Sequence, residues 1–401
     1  MVNPECRGLV SDSHYKGNQM NAKLFSVSLL AACVLLASAS QANAQAYTFT
    51  SLGTLGGIES RANGINNMGQ IVGQDNGHIT IWNSITKTET DLGTGGAALS
   101  INNLGQVAGW SDYGTEQRAT VWNTDGTVAN LGDPWGGSGS FAYAINNTGQ
   151  VAGLASAFRP SDINHEQGSV AHATLWSGGV ATDLGTLGGY ESFAYGINDS
   201  GQVVGNSLIT DLTANHATLW DHGTVTDLGA KGLRYSSAYD INNAGKVVGV
   251  METQDIPNAL YQAHATIWDH GAITDLGTLD GVYRSRALAI NNFDLVVGSS
   301  ETSTAANHAT LWDHGTAIDL NNFLDASMVS AGWVLVEATG INDNGWIVGY
   351  ATERGTSRAF LLSLPIPEVT IPVPEPETYA LFMAGLGLMG FIARRRKNDQ
   401  A

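Results

Sequence analysis

The chain has 401 residues, 43% of them hydrophobic and 49 of them glycine, with a formal net charge of −18 at pH 7. Between Gln45 and Leu364 it holds 30 Asp and Glu against 11 Lys and Arg, a balance that argues against a nucleic-acid partner because phosphate binding draws on clustered cations. Its only cysteines, Cys6 and Cys33, precede Ala44, so a chain cut after that residue has no disulfide, thiolate metal site or cysteine nucleophile.

Met1–Gln19 has no periodic apolar pattern and reads as an over-extended start (residues 1–19). From Met20, Lys23 supplies a positive n-region, Leu24–Ala37 an apolar h-region, and Ala42-Asn43-Ala44 a small-x-small cleavage site. Residues 20–44 therefore read as a secretory signal peptide, cut after Ala44. Leu30-Ala31-Ala32-Cys33 also resembles a lipobox, in which Cys33 would become a lipidated N-terminus. The apolar run continues through Val34, Leu35 and Leu36, where a lipoprotein usually turns polar, and favours the first reading.

Residues 45–364 are built on a repeat. An Ile-Asn pair recurs at Ile65, Ile101, Ile145, Ile197, Ile241, Ile290 and Ile341, with Ala three residues before and Gly eight residues after each Ile. Each unit carries four short strand signals: the small, apolar stretch ending in Ile-Asn; a run such as Gly201–Gly205; one such as His216–Trp220; and one such as Thr226–Gly229. Asn-Asn/Asp-x-Gly and Asp-His-Gly join them as tight hairpins, because Asn and Gly tolerate the positive φ such turns need. The pattern predicts an all-β, seven-bladed β-propeller of four-stranded blades. Six units have their own fourth strand, at Leu92, Leu131, Leu184, Leu228, Leu276 and Leu320, whereas the seventh stops at Arg358–Leu362. Tyr47–Gly53 supplies the missing pattern, so the N-terminal strand is expected to close the ring; a solenoid, the other repeat architecture, has no reason to split a unit between its ends.

His78, His172, His216, His264 and His308 occupy one equivalent position, with Arg118 and Arg358 in the other units. One per unit separates them, so they are expected to bond between strands or blades, and no metal site is predicted. His222, His270 and His314 fall in turns. The Asn342-Asp343-Asn344-Gly345 turn and its equivalents lack the alternating ligands and distal Glu of a calcium loop. Trp82, Trp122, Trp176, Trp220, Trp268 and Trp312 hold a regular strand position and are expected between blades rather than stacked on sugars. Loop length is what varies: 4 residues separate Gly73 from His78, but 18 separate Gly153 from His172 and 14 separate Gly249 from His264. Function concentrates in loops on rigid scaffolds, which makes Arg159, Asp162, His165 and Glu166, and then Glu252, Asp255 and Tyr261, the candidate ligand residues. No catalytic constellation, cofactor fingerprint or phosphate loop stands out.

The repeats resemble the extracellular HAF-type repeats through His172-Ala173-Thr174-Leu175-Trp176 and Asp183-Leu184-Gly185-Thr186-Leu187-Gly188-Gly189, with Thr in place of that family's Phe in six units. The resemblance implies an exported protein and no established activity. Pro365–Glu377 is Pro-rich and reads, with Thr378, as an extended spacer (365–378). An uncharged segment, Tyr379–Ala393, follows; its 15 residues are short against the roughly 20 that span a bilayer, so Tyr379 and a snorkelling Arg394 are expected to extend it as a transmembrane helix. Arg394, Arg395, Arg396 and Lys397 then hold residues 394–401 in the cytoplasm. With Val373-Pro374-Glu375-Pro376 as motif, this tail resembles the PEP-CTERM sorting signal. That resemblance implies an exosortase partner in Gram-negative bacteria, inner-membrane anchoring before processing, and a setting near exopolysaccharide; a tail anchor that is never cut is the alternative. The expected function is a non-enzymatic surface or matrix scaffold binding a partner such as extracellular polysaccharide; the alternative is a carbohydrate-active hydrolase or lyase on the same scaffold.

Overall fold

Each Ile-Asn repeat folds as consecutive antiparallel strands joined by hairpins, as its alternation of turn residues and β-branched runs predicts. The computed structural model describes residues 47–53, 57–159, 168–210, 214–229, 234–252, 262–281 and 284–364. The expected signal peptide, including Ala42 and Ala44, and everything from 365 onward, including the expected membrane helix, the Val373–Pro376 motif and the Arg394–Lys397 cluster, lie outside them. Among the described residues no helix is long and apolar enough to cross a membrane.

Ser60–Ile65, Gln70–Asp75, His78–Asn83 and Thr88–Thr94 form one four-stranded sheet; the repeats over 188–227, 236–277 and 285–319 form three more. The repeats over 96–132 and 136–183 share one eight-stranded sheet through a single parallel bridge between Gly139 and Gln117. Trp333–Ile341, Ile347–Glu353 and Thr356–Ser363 form the last sheet, and Thr48–Ser51 is its outer strand, with Phe49 opposite Leu362. In several sheets the fourth strand ends before the expected Leu: Thr316–Asp319 gives way to a 3-10 turn at Leu320–Phe323, where the Asp319 side chain caps the turn by accepting from Asn321 N. A short helix, Ala326–Ala331, follows it.

The periodic Ala and Gly are explained by one bulge. In every repeat the first two strands slip register just after the Ala, leaving one extra residue, as at Asn63 between the pairs Ala62/Gly73 and Gly64/Val72. The carbonyl before the Ala then lies directly over the Gly. A Cβ on Gly205 would sit 1.8 Å from the Phe193 oxygen, and the six equivalent positions allow no more than 2.0 Å. The seven Ala residues are themselves 0% exposed.

Apolar clusters lie between consecutive sheets. Trp220 packs with Ala194, Ile197 and Val203 of its own sheet against Ala152 and Ala173 of the preceding one, and Trp82 packs against Val348 and Leu361. All six third-strand Trp residues are buried, at 1–6% exposure, which makes them core as expected. The third-strand His residues bond within their own sheet: His78, His172, His216, His264 and His308 each place Nδ1 2.7–2.9 Å from a fourth-strand Asp, namely Asp91, Asp183, Asp227, Asp275 and Asp319. His222, His270 and His314 take positive φ in the outer hairpins and pair with the Asp before them.

The His172–Asp183 pair has a signed pH dependence. The hydrogen bond to Asp183 raises the His172 pKa above 6.5, against the effect of burial. Burial pushes the Asp183 carboxyl up, but the bonds from His172 and the Gly185 amide outweigh it and hold it below 3.8. The stabilisation from His172 is complete below its unfolded pKa and fades as pH rises through the raised value; that from Asp183 is complete above its unfolded pKa and fades as pH falls through the lowered one. Thermal melts of Asp183→Asn against the parent are therefore expected to differ most near pH 5, between the two pKa values, and to differ less once pH has risen through the raised His172 pKa. A difference that grows toward alkaline pH would contradict the pairing.

Candidate functional site

The two ends of the sheets are built differently. At the hairpin end, the Asn of each Ile-Asn pair is 2–4% exposed. Asn198 Oδ1 accepts from the Ser200 and Gln202 amides, and its Nδ2 donates to Gln202 Oε1 and to the Asn242 carbonyl of the next repeat. The bond between repeats recurs at 2.9–3.2 Å from Asn66 to Asn102, Asn146, Asn198, Asn242, Asn291 and Asn342, and Asn342 donates to the Asn66 carbonyl. Where Lys246 stands in place of Gln202, Asn242 finds its second acceptor in Asp294 of the neighbouring turn, which also binds Lys246 Nζ at 2.9 Å.

The next residue of each turn makes a second set of bonds. Asn67, Asn103, Asn147, Asp199, Asn243, Asn292 and Asp343 each accept, through Oδ1, from the backbone amide of the equivalent residue in the preceding repeat. Asp199 Oδ2 also accepts from Asn147 and Asn243, and Asp343 Oδ2 from Asn67 and Asn292. The carboxylates of Asp199 and Asp343 are thus spent on neighbouring turns, while the local turn bonds are made by the preceding Asn, as from the Ser200 amide to Asn198 Oδ1. Among the described residues no group of three or more His, Cys, Asp or Glu is placed to hold a metal ion.

At the opposite, loop end, the first-strand residues near the bulge and their partners on the second strand make a rim of larger side chains. Trp110 meets Phe141 edge-on at 5.8 Å; Tyr143 meets Tyr195 at 5.4 Å; Phe193 stacks with Tyr195 at 6.3 Å; and Tyr195 meets Tyr239 at 5.8 Å. These rings come from four successive repeats and form an aromatic arc. Burial raises the Tyr143 and Tyr195 hydroxyl pKa values, with the neighbouring Tyr143 and Tyr239 rings adding to the effect at Tyr195, so these groups stay protonated donors. The arc facing it is charged. Arg61 lies 4.4 Å over the Tyr350 ring, and Arg286 Nη2 binds Glu337 Oε2 at 3.1 Å, with Ser299 Oγ donating to the same oxygen. Between the arcs is a cavity of about 260 Å³ lined by Tyr235, Tyr239, Arg284, Arg286, Glu301 and Asn307, among others.

The expected ligand loops take a different form. The Leu154–Ala171 segment, read as a loop, is mostly a hairpin continuing out of the sheet: strand Val151–Arg159 stays in register with Gly168–Ser177, up to Arg159 opposite Gly168. The ladder satisfies backbone groups that a bare loop would leave to water. Arg159 ends that strand, and its side chain lies outside the described residues, as do Asp162, His165, Glu166, Asp255 and Tyr261. Glu252 ends a second strand opposite Ala263, and its carboxylate accepts from the Arg234 amide at 2.9 Å. It sits beside Tyr235, whose carbonyl accepts from the Glu252 amide. The aromatic and charged arcs were not singled out from sequence, although a signal exists: the stretch before Ile-Asn is small in most units but reads Phe141-Ala142-Tyr143 and Phe193-Ala194-Tyr195 in two.

Comparison with known proteins bears on both halves of the chain. The PEP-CTERM protein-sorting motif matches residues 372–397. A family described as a protein of unknown function, DUF3466, matches residues 190–363, less than half of the chain. No curated protein matches it. Among solved structures, a catalytically inactive virginiamycin B lyase from Staphylococcus aureus with quinupristin superposes at a TM-score of 0.51, with 11% identity over 80% of this chain and 100% of that one. Its selenomethionine form gives 0.50 at 12% identity over the same shares. The β-propeller domain of the Trilobed protease from Pyrococcus furiosus gives 0.46 at 13% identity, over 64% of this chain and 78% of that one. At these identities the lyase likeness shows the fold alone. The chain is an all-β, propeller-like protein with four-stranded sheets, and it carries the sorting signal of an exported, exosortase-processed protein.

The buried Asn relay has a measurable worth. Asn198→Ala removes a partner from the Ser200 and Gln202 amides, from Gln202 Oε1 and from the Asn242 carbonyl, which keeps the Gly245 amide, and a buried group left unsatisfied costs about 1–3 kcal/mol. Urea unfolding is expected to show a loss of about 3 kcal/mol or more. A loss below about 0.5 kcal/mol, the scale of an ordinary surface substitution, would mean that the relay does not hold the sheets together.

Proposed function

We propose that this protein is a closed, seven-bladed β-propeller outside the cell, which binds extracellular polysaccharide at the rim of its loop end without turning it over. The return of the Asn relay from Asn342 to Asn66 and the pairing of Thr48–Ser51 with the last sheet support the closed count. The proposal keeps the HAF-type reading of the repeats, a signal peptide cut after Ala44, and a membrane anchor at 379–393 that exosortase removes.

The observation that carries the binding reading is the aromatic arc of Trp110, Phe141, Tyr143, Phe193, Tyr195 and Tyr239. Sugar rings present apolar C–H faces edged with hydroxyls, and aromatic faces bordered by protonated tyrosine hydroxyls match both. The rings stand on strands, so little side-chain freedom is lost on binding. Purified protein is expected to retain a polysaccharide from a panel of bacterial exopolysaccharides, and Trp110→Ala with Phe193→Ala is expected to weaken that binding at least about tenfold, since truncating central aromatic contacts typically costs more than 1 kcal/mol each. Retention unchanged in the double variant would move the site elsewhere.

A carbohydrate-active hydrolase or lyase is the second reading, favoured by one observation: Glu337 places a carboxylate on the rim beside Arg286. Reducing-end or unsaturated-product assays on the same panel separate the two. Turnover lost in Glu337→Gln supports an enzyme, and binding without turnover supports the scaffold. Closure has its own test. Without Thr48–Ser51 the last sheet has a bare outer edge, and a chain lacking these residues is expected to melt several degrees lower; an unchanged midpoint would count against the closed ring.

A further inference from the structure

The charged arc of the rim is made of groups that a neutral sugar does not require. Arg61 is exposed, is held by the face of Tyr350, and pairs with no carboxylate among the described residues. Arg286 is 49% exposed and uses one nitrogen on Glu337, which leaves most of the five guanidinium donors directed elsewhere. Both guanidiniums act on the Tyr350 hydroxyl, and Arg286 also acts on Tyr235, so the two cations share one stretch of the rim. Arg284 lines the adjoining cavity. Arg286 pairs with Glu337 and lines one cavity with Arg284 and Glu301, while Arg61 lies over Tyr350 beside it, in a region where acidic residues outnumber basic ones 30 to 11.

We infer that this arc is an anionic-sugar subsite, in which Arg286 and Arg61 hold the carboxylate of a uronate residue and Tyr235 and Tyr239 form the wall for its ring; the inference rests on the polysaccharide-binding reading above. A planar guanidinium fork matches a carboxylate in bidentate fashion, which a point charge does not. The cavity, about 260 Å³, lies below the roughly 300–1,000 Å³ of pockets for drug-sized ligands and suits one sugar ring rather than a buried chain. Glu301 and Asn307, on its lining, offer an acceptor and an amide to sugar hydroxyls. A polymer would cross the rim with its apolar faces on the aromatic arc and its acidic residues over the arginines.

The test uses the full chain in detergent, with polygalacturonate, dextran sulfate and neutral dextran as probes. Polygalacturonate is expected to bind best, and Arg61→Gln, at an exposed position where folding is retained, is expected to weaken it about fivefold with no effect on dextran. Arg286→Gln is expected to weaken it at least tenfold, and the salt dependence is expected to flatten in both variants. Equal binding of dextran and polygalacturonate, insensitive to both substitutions, would overturn the anionic subsite while leaving the polysaccharide reading in place. Tighter binding of dextran sulfate than of polygalacturonate would overturn the choice of carboxylate. Retention of none of the three, nor of any member of the exopolysaccharide panel, would overturn the binding reading and the subsite with it.

Discussion

The buried side chain of the Asn in each Ile-Asn pair is the interaction on which the rest of the structure depends. It closes its own hairpin by accepting from two amides and ties that hairpin to the next sheet by donating to a backbone carbonyl. Asp in its place would set a charged oxygen against that carbonyl, and Ala would leave several buried polar groups without partners. This residue, the Gly under the bulge and the buried Ala recur in every repeat. Serines reinforce the arrangement at the loop end, where Ser140, Ser192, Ser236 and Ser285 accept from the amide of a third-strand Ala in the preceding repeat.

With one end locked in this way, the other end is free to differ from repeat to repeat. The bulge aims first-strand side chains around the loop-end rim, and there the repeats diverge: Arg61, Phe141, Phe193, Arg286 and Glu337 hold equivalent positions, as do Gln74, Trp110, Asn206, Ser299 and Tyr350 on the second strand. A scaffold with many near-identical joints thus presents a rim with an aromatic side and a charged side. That asymmetry arises while the bonds between successive Asn residues recur in every repeat.

Local chemistry determined most of what the sequence alone could say. Turn residues, strand periodicity and the Pro-rich tail are short-range patterns, so the four-stranded units, the outer strand at Thr48–Ser51, the buried Trp positions, the bonding of His between strands and the sorting tail were legible from residues near one another in the chain, whereas the Asp partner of each His was not. The bulge could not be read in this way, because the recurrent Gly is required by a carbonyl on another strand and not by its own turn. Loop length also misled: the long stretch after Gly153 is mostly paired strand, since pairing depends on whether backbone groups meet a partner and not on how many residues lie between two motifs.

Only the tertiary structure decided where the rim is and what it holds. Trp110, Phe141, Tyr195, Tyr239, Arg286, Glu337 and Arg61 come from different repeats; the repeat gives their positions in each unit but not which of them meet. Their meeting follows from sheet-on-sheet packing driven by the buried Ala, Val and Trp clusters and from the direction in which the bulged strands aim their side chains. Sequence by itself determined a repeated, exported, acidic β-protein with a sorting tag, because each of those properties is local or compositional. The composition of the rim is a property of side chains far apart in the chain and close in space, and depends on how the repeats pack.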